Sequence, residues 1–273
     1  MDNFKLDKNS AKLKKSNIIP RPYSSYGVIK GSLINESQTM FKAWNTQLSK
    51  KTNLNEIREK NIVGAPSQGW LKQVCKTFSR RFDPSTLDFP LTLASRTKTG
   101  IKHWKPLLLW HYANSESLTG DFFMWIYKFS FKEGVYLETS ETLNWLNNQV
   151  GKGHLEISRW SEATRKRVAG ALLKAAVDFD LLQGKIKRRF ISYYLADEPL
   201  IYILLQALSS NRTTSEALAD PRWLWFSLTE VELEHRLLLL HQSQRLNYYR
   251  AGSLIDLNLS EKTPESLIKK NWL

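Results

Sequence analysis

A single cysteine, Cys75, stands in a chain of 273 residues, so no intrachain disulfide can form. It falls in the apolar pattern of a helix, the setting of a buried thiol rather than a nucleophile. Long hydrophobic runs are missing too. The longest, Leu200 to Leu208, is interrupted by Gln206 and is far short of a membrane span. Near the N-terminus, Lys5, Lys8, Lys12, Lys14 and Lys15 are not followed by the apolar stretch of a signal peptide. A cytoplasmic protein without membrane contact is expected. Asn211-Arg-Thr213 matches a glycosylation sequon, which without secretion is a chance match.

Catalytic signatures are also lacking. Gly64 and Gly69 have the spacing of a phosphate-binding loop, but Trp70 stands where that loop needs lysine. His103, His111, His154, His235 and His241 are scattered, and no His, Cys or carboxylate cluster has zinc-ligand spacing. No cofactor and no metal is therefore expected. Asp178 and Asp180 close a predicted helix, where shaping a turn is the simpler role. Glu230, Glu232 and Glu234 straddle a helix instead of sharing one face. No Gly-x-Ser-x-Gly elbow or Cys–His dyad occurs, and the chain reads as a non-enzyme. There is no exact internal repeat and no low-complexity tract.

Positive charge, in contrast, is abundant. Forty Lys and Arg oppose twenty-six Asp and Glu, a net charge of +14, and the pI is near 9.7. A field of that size attracts polyanions. The 42% hydrophobic content and ten Trp suit a folded chain with a large core. The pattern predicts a mainly α protein: helical modules with winged helix-turn-helix character and small β-hairpin wings. Its divisions are a mobile basic tail (1–22), an N-terminal helix-turn-helix-like domain (23–95), a central winged-helix domain (96–195) and a C-terminal helical or winged module (196–273).

Val28 to Leu48 has helical spacing through Ile29, Leu33, Phe41, Trp44 and Leu48. A second helix spans roughly Leu54 to Ile62. Ser67 then caps a third helix that buries Leu71, Val74, Cys75, Phe78 and Phe82. Gln68, Lys72, Gln73, Lys76 and Arg80 lie on its outer face. That layout suits a helix-turn-helix, and equally a plain three-helix bundle with a solvated basic face. A linker with Pro84, Pro90 and Gly100 follows. Helices resume at about Lys102 to Ala113, Thr119 to Phe131, and Ser140 to Gln149 with Thr139 or Ser140 as cap.

Ser158 to Tyr194 carries the most information. Ser161 caps a helix that buries Thr164, Val168, Ala171, Leu172, Ala175 and Phe179 and turns Glu162, Lys166, Ala169 and Gly170 outward, flanked by Arg165, Arg167 and Lys174. Leu181-Leu182, a Gln183-Gly184 turn and Lys185-Ile-Lys-Arg-Arg-Phe-Ile191 then form a hairpin. Alternation turns Ile186 and Phe190 inward and Lys185, Lys187 and Arg189 outward. Duplex DNA presents closely spaced phosphates, and cations laid along them release counterions. Free N–H groups after Ser161, the cations Arg165, Lys166, Arg167 and Lys174, and a wing bearing Lys185, Lys187, Arg188 and Arg189 fit that need. Gln68, Lys72 and Lys76 offer a second basic face. Ala169 and Gly170 either let a groove wall approach or pack a neighbouring helix. Only Arg165 and Gln183 look placed to read bases, so weak sequence preference is expected. Beyond this unit, helices over 198–209 and Thr229 to Gln242, a hairpin over 245–259 and a helix from Pro264 to Lys270 are predicted.

Several segments resemble one known family. Tyr26-Gly-Val-Ile-Lys-Gly-Ser-Leu-Ile-Asn-Glu-Ser37 is similar to the opening of BrxA-type proteins of bacteriophage-exclusion (BREX) systems. Asn55-Glu-Ile-Arg58, Asn61-Ile-Val63 and Ser67 to Arg81 resemble the next block. Ser161-Glu-Ala-Thr-Arg-Lys-Arg167, with Leu172-Leu173 and Leu181-Leu182, resembles the block after that. Trp223 to Phe226, Leu237 to Leu240 and Tyr249-Arg-Ala-Gly252 resemble the family's end. The resemblance implies a small helical accessory protein of phage defence with winged-helix character, linked to double-stranded-DNA binding. It would act beside methyltransferase, ATPase-like and phosphatase-like BREX partners. No catalytic residues carry over, and the basic tail looks like an extension of the family core. Two other roles compete: an assembly adaptor using Trp70, Trp160 and Trp223 as anchors, and RNA binding.

Overall fold

The computed structural model describes residues 22–98, 100–130, 134–209, 212–252 and 254–272. The tail expected over residues 1–22 lies outside them, Pro22 excepted. The protein is mainly helical, with two small antiparallel sheets.

The N-terminal third runs α1 (Ser25–Ile29), α2 (Ile34–Ala43), α3 (Lys50–Glu59), α4 (Gln68–Arg81) and α5 (Phe89–Ala94). The single helix expected from Val28 to Leu48 is two helices. Gly31 (φ 80°) and Leu33 (φ 52°) are left-handed between them and stop the first. α4 begins at the predicted cap, where Ser67 Oγ accepts from the Trp70 N–H at 3.2 Å. Its predicted core residues Leu71, Val74, Cys75, Phe78 and Phe82 are all buried. The expected linker contains α5, because Pro90 in a first helical turn forfeits no hydrogen bond.

The middle of the chain runs α6 (Ile101–Ser115), α7 (Ser117–Tyr127), β1 (Tyr136–Leu137), α8 (Thr139–Asn148), two 3-10 turns (Val150–Lys152 and Leu155–Arg159), α9 (Glu162–Asp178), β2 (Leu182–Gln183) and β3 (Arg188–Phe190). Glu138, not Thr139 or Ser140, caps α8, and its N–H donates to Glu141 Oε2 at 2.8 Å. The first sheet has the order β1-β3-β2, with Tyr136 opposite Arg189 and Leu182 opposite Phe190. The last third runs α10 (Asp197–Leu208), α11 (Thr214–Leu218), a 3-10 turn (Pro221–Phe226), α12 (Glu230–Gln242), the hairpin β4 (Leu246–Ala251) and β5 (Leu254–Leu259), and α13 (Pro264–Asn271).

One cluster of buried apolar side chains extends from Tyr23 to Ile268. α6 lies within it. Trp104 and every residue from Pro106 to Ala113 are buried, so this helix presents no solvated stripe after its first turn. The prolonged apolar run of α10 packs against α6, and α13 packs against both α10 and α5.

A buried ion cluster ties the N-terminal segments together. The Arg81 side chain is fully enclosed. It donates to the carbonyls of Gly27 (2.6 Å), Gly31 (2.6 Å) and Ser32 (3.3 Å). Its guanidinium lies 4.5 Å from the Tyr112 ring centroid and 3.5 Å from buried Glu116. Arg80 completes the cluster with a two-pronged pair to Glu116 at 2.9 and 3.2 Å. Gly27 is required here, because a Cβ would overlap Arg80 Nη1 and both Glu116 oxygens.

Arg81→Ala should therefore leave three carbonyls without their donor and Glu116 with Arg80 as its one remaining partner in the cluster. The expected cost is about 3–5 kcal/mol, read as a lower urea midpoint at constant m-value. A wild-type midpoint would mean that water replaces the guanidinium freely.

Candidate nucleic-acid interface

α9 is the helix that sequence reasoning singles out, and its start is built as expected. Ser161 Oγ accepts from the Thr164 N–H at 3.2 Å. Val168, Leu172, Ala175 and Phe179 are buried, whereas Thr164 and Ala171 are only partly so. Ala169, expected outward, is fully buried. The reason is tertiary: α9 packs against α8 on one side and against α1, from the far end of the chain, on another. Close packing thus accounts for Ala169. Gly170 is half-buried, and a Cβ added there would meet nothing within 4 Å.

The hairpin also departs from expectation. Its register leaves Gly184 to Lys187 as a four-residue turn, not a two-residue one at Gln183-Gly184. Ile186 lies in that turn rather than on a strand, so alternation does not govern it and it is 78% exposed. Phe190 is half-buried and packs on the core. Gly184 has φ 123°, and a Cβ would overlap the Lys187 carbonyl oxygen, so glycine sets the turn.

Most of the cations here lack acidic partners. Among the described residues, no carboxylate pairs with Arg165, Arg167, Lys185, Lys187, Arg188 or Arg189. Lys166 is the exception at 2.6 Å from Glu162, and its ammonium holds the Glu162 carboxyl below the usual range. Arg165 is half-buried and donates to Asn147 Oδ1 at 2.9 Å, joining α9 to α8. Arg188 is half-buried, which lowers its pKa, and it donates to the Ile186 carbonyl at 3.1 Å. Arg189 donates to Gln183 Oε1 at 3.3 Å. Both candidates for base reading, Arg165 and Gln183, are thus already engaged within the protein. Lys152 and Arg159, on the turns leading into α9, are exposed as well. They stand outside any periodic pattern, and only their closeness to the Ser161 cap could have drawn attention to them.

Lys174 sits elsewhere, about 13 Å along the helix axis from Arg165. It pairs with Asp178 at 3.3 Å and borders a cavity of about 540 Å³ with Lys30, Lys105 and Trp70. On α4, Gln68, Lys72 and Lys76 are exposed. Lys76 lies over the Tyr26 ring at 5.0 Å. Of the three Trp considered as protein anchors, Trp223 is 2% exposed and is excluded, since its ring fills the core beside Trp110. Trp70 and Trp160 are half-buried. Among the described residues, no group of three or more His, Cys, Asp or Glu is placed to hold a metal, and no helix is long and apolar enough to cross a membrane.

The first two segments that suggested a family meet in space, with Gly27 against Arg80 and Gly31 and Ser32 on Arg81. A family model described as BrxA matches residues 21–205. The chain belongs to the BrxA family. Membership associates it with BREX phage defence. The BrxA match takes in all of β1, α8, α9, β2 and β3 and ends within α10, leaving α11 to α13 beyond it. No curated protein matches the chain.

Gly184→Ala would force a left-handed turn and a backbone overlap on a residue with a Cβ. A loss of about 1–3 kcal/mol is expected, seen as a fall in urea midpoint. An unchanged midpoint would show that the turn can relax without cost.

Proposed function

We propose that this BrxA-family chain is a non-catalytic double-stranded-DNA-binding component of a BREX phage-defence system. The reading rests on one observation: α9 and the hairpin that follows it carry Arg165, Arg167, Lys185, Lys187, Arg188 and Arg189 without acidic partners. Folding does not require unpaired cations on both a helix N-terminal half and the next hairpin, whereas a phosphate ladder does. The order of elements supports it. Helix α7, strand β1, helices α8 and α9, and strands β2 and β3 in a sheet ordered β1-β3-β2 follow the plan of a winged helix-turn-helix, with α9 as recognition helix and Gly184 to Lys187 as wing. The capped start of α9 adds free N–H groups suited to a phosphate. Sequence preference is weak in this reading, because Arg165 and Gln183 are engaged inside the protein.

The second reading, an assembly adaptor for the methyltransferase, ATPase-like or phosphatase-like BREX components, is favoured by α12. That helix turns Val231, Leu238 and Leu239 outward, and its acidic residues Glu230 and Glu234 are tied to Arg250. Such a face suits protein and not phosphate. The two readings are compatible if they fall on different modules.

Titration of a labelled duplex at several salt concentrations separates them. Contact with about five phosphates gives a slope of log affinity against log salt of about −4 to −5. Replacing Arg167, Lys185, Lys187 and Arg189 by Gln should weaken binding and shrink that slope by about 0.9 for each phosphate left without its cation. Absence of duplex affinity at low salt, or a slope untouched by the four substitutions, refutes the DNA reading. An RNA duplex of equal length that outcompetes DNA would move the assignment to RNA.

A further inference from the structure

The tip of the β2–β3 hairpin places an aliphatic side chain where a bound duplex would meet the wing. Ile186 is 78% exposed, flanked by the exposed cations Lys185 and Lys187. An exposed aliphatic side chain is by itself ordinary, as Leu87 and Leu254 also show; what distinguishes Ile186 is its place at a hairpin tip between two lysines. The turn that carries it is braced. Gly184 holds it in a left-handed bend, Arg188 donates to the Ile186 carbonyl at 3.1 Å, and Arg189 ties back to Gln183 at 3.3 Å. The base of the hairpin is anchored by Leu182, which is buried, opposite Phe190, which packs on the core. A narrow, stiffened tip with one aliphatic side chain between two lysines matches the chemistry of a minor-groove wedge. Its cations meet the groove's negative potential, and its apolar group enters between base steps.

We infer that Ile186 inserts into the minor groove of duplex DNA, so that this protein selects sites by deformability instead of by base-edge hydrogen bonds. The inference rests on the proposed DNA reading and deepens it. It supplies a source of preference where direct readout is engaged elsewhere. Pyrimidine–purine steps unstack most readily, and A-tracts resist. Duplexes rich in TA and CA steps are therefore the preferred class, and binding kinks them.

The test uses the full chain and two 30-base-pair duplexes, one with central TA steps and one with an A-tract, each carrying a donor and an acceptor fluorophore at its ends. The wild-type protein should bind the TA duplex more tightly and shorten its end-to-end distance. Ile186→Gln keeps size and charge but removes the apolar group, and at an exposed tip it should leave the fold intact, checked by circular dichroism. It should lose about tenfold in affinity for the TA duplex, along with the discrimination and the shortening, at an unchanged salt slope. Should Ile186→Gln bind and bend both duplexes as the wild type does, the wedge is refuted while DNA binding stands. Should the wild type bind neither duplex, the DNA reading and the wedge fall together.

Discussion

The enclosed guanidinium of Arg81 is the constraint on which the position of α9 depends. It gathers the carbonyls of Gly27, Gly31 and Ser32 at the end of α4, with Glu116 from the α6–α7 junction as counter-ion. A buried charge is tolerated only when its donors are satisfied and its counter-ion is near, so the segment from Gly27 to Ser32 has little freedom. That segment in turn fixes α9. α1 packs along its side, and Ser32 donates to Asp178 at 2.5 Å near its end. An ion cluster built from the N-terminal segments and Glu116 thereby helps to orient the helix that carries the cations.

The same dependence explains what could be read from the residues and what could not. Local signals were reliable. Ser67 and Ser161 cap α4 and α9 as expected, because a hydroxyl before an apolar periodic run satisfies a free N–H wherever it occurs, whereas the cap of α8 fell one residue earlier than expected, at Glu138. The buried face of α4 followed from its spacing for the same reason. Features set by distant contacts were hidden. The break between α1 and α2 is marked in the sequence only by Gly31, since Leu33 gives no sign of its left-handed backbone, and the carbonyls around it are held by Arg81, fifty residues downstream. Ala169 is buried on a helix that packs against both α8 and the distant α1. β1 is only two residues long, too short for its exposed-then-buried alternation to stand out in the sequence. The position of Ile186 turned on a register shift that lengthened the turn, and one such shift reverses what a side chain faces. The cations of the candidate interface were legible as a set because charge needs no partner to be visible. Glu162 could be matched to Lys166 from its four-residue spacing on a helix, but Asn147 and Gln183 could be matched to Arg165 and Arg189 only in three dimensions.

Charge is distributed unequally between two units of similar layout. α9 leads into the β2–β3 hairpin, and α12 leads into the β4–β5 hairpin. The start of α9 carries Arg165, Lys166 and Arg167 against Glu162, whereas the start of α12 carries Glu230, Glu232 and Glu234. Those acids are consumed locally. Glu232 closes a capping box with Thr229, and Glu230 and Glu234 hold Arg250 of β4 at 3.5 and 2.8 Å. Arg236 is spent on Asp197 at 2.6 Å. The outward face of α12 is left with Val231, His235, Leu238, Leu239 and Gln242, and among the described residues of that helix no Lys or Arg stays unpaired.

Such a face gains nothing from a phosphate ladder, because counterion release requires positive charge. It gains from covering apolar surface, which costs free energy while it remains in water. The hairpin after α9 has the opposite balance, with one aliphatic residue among cations. Under the proposed reading, the two units divide the work by chemistry while sharing a plan of helix and hairpin. The first meets DNA, and the second is free to meet a protein. The cationic unit lies within the residues matched by the family, 21–205, and the apolar face of α12 lies beyond them.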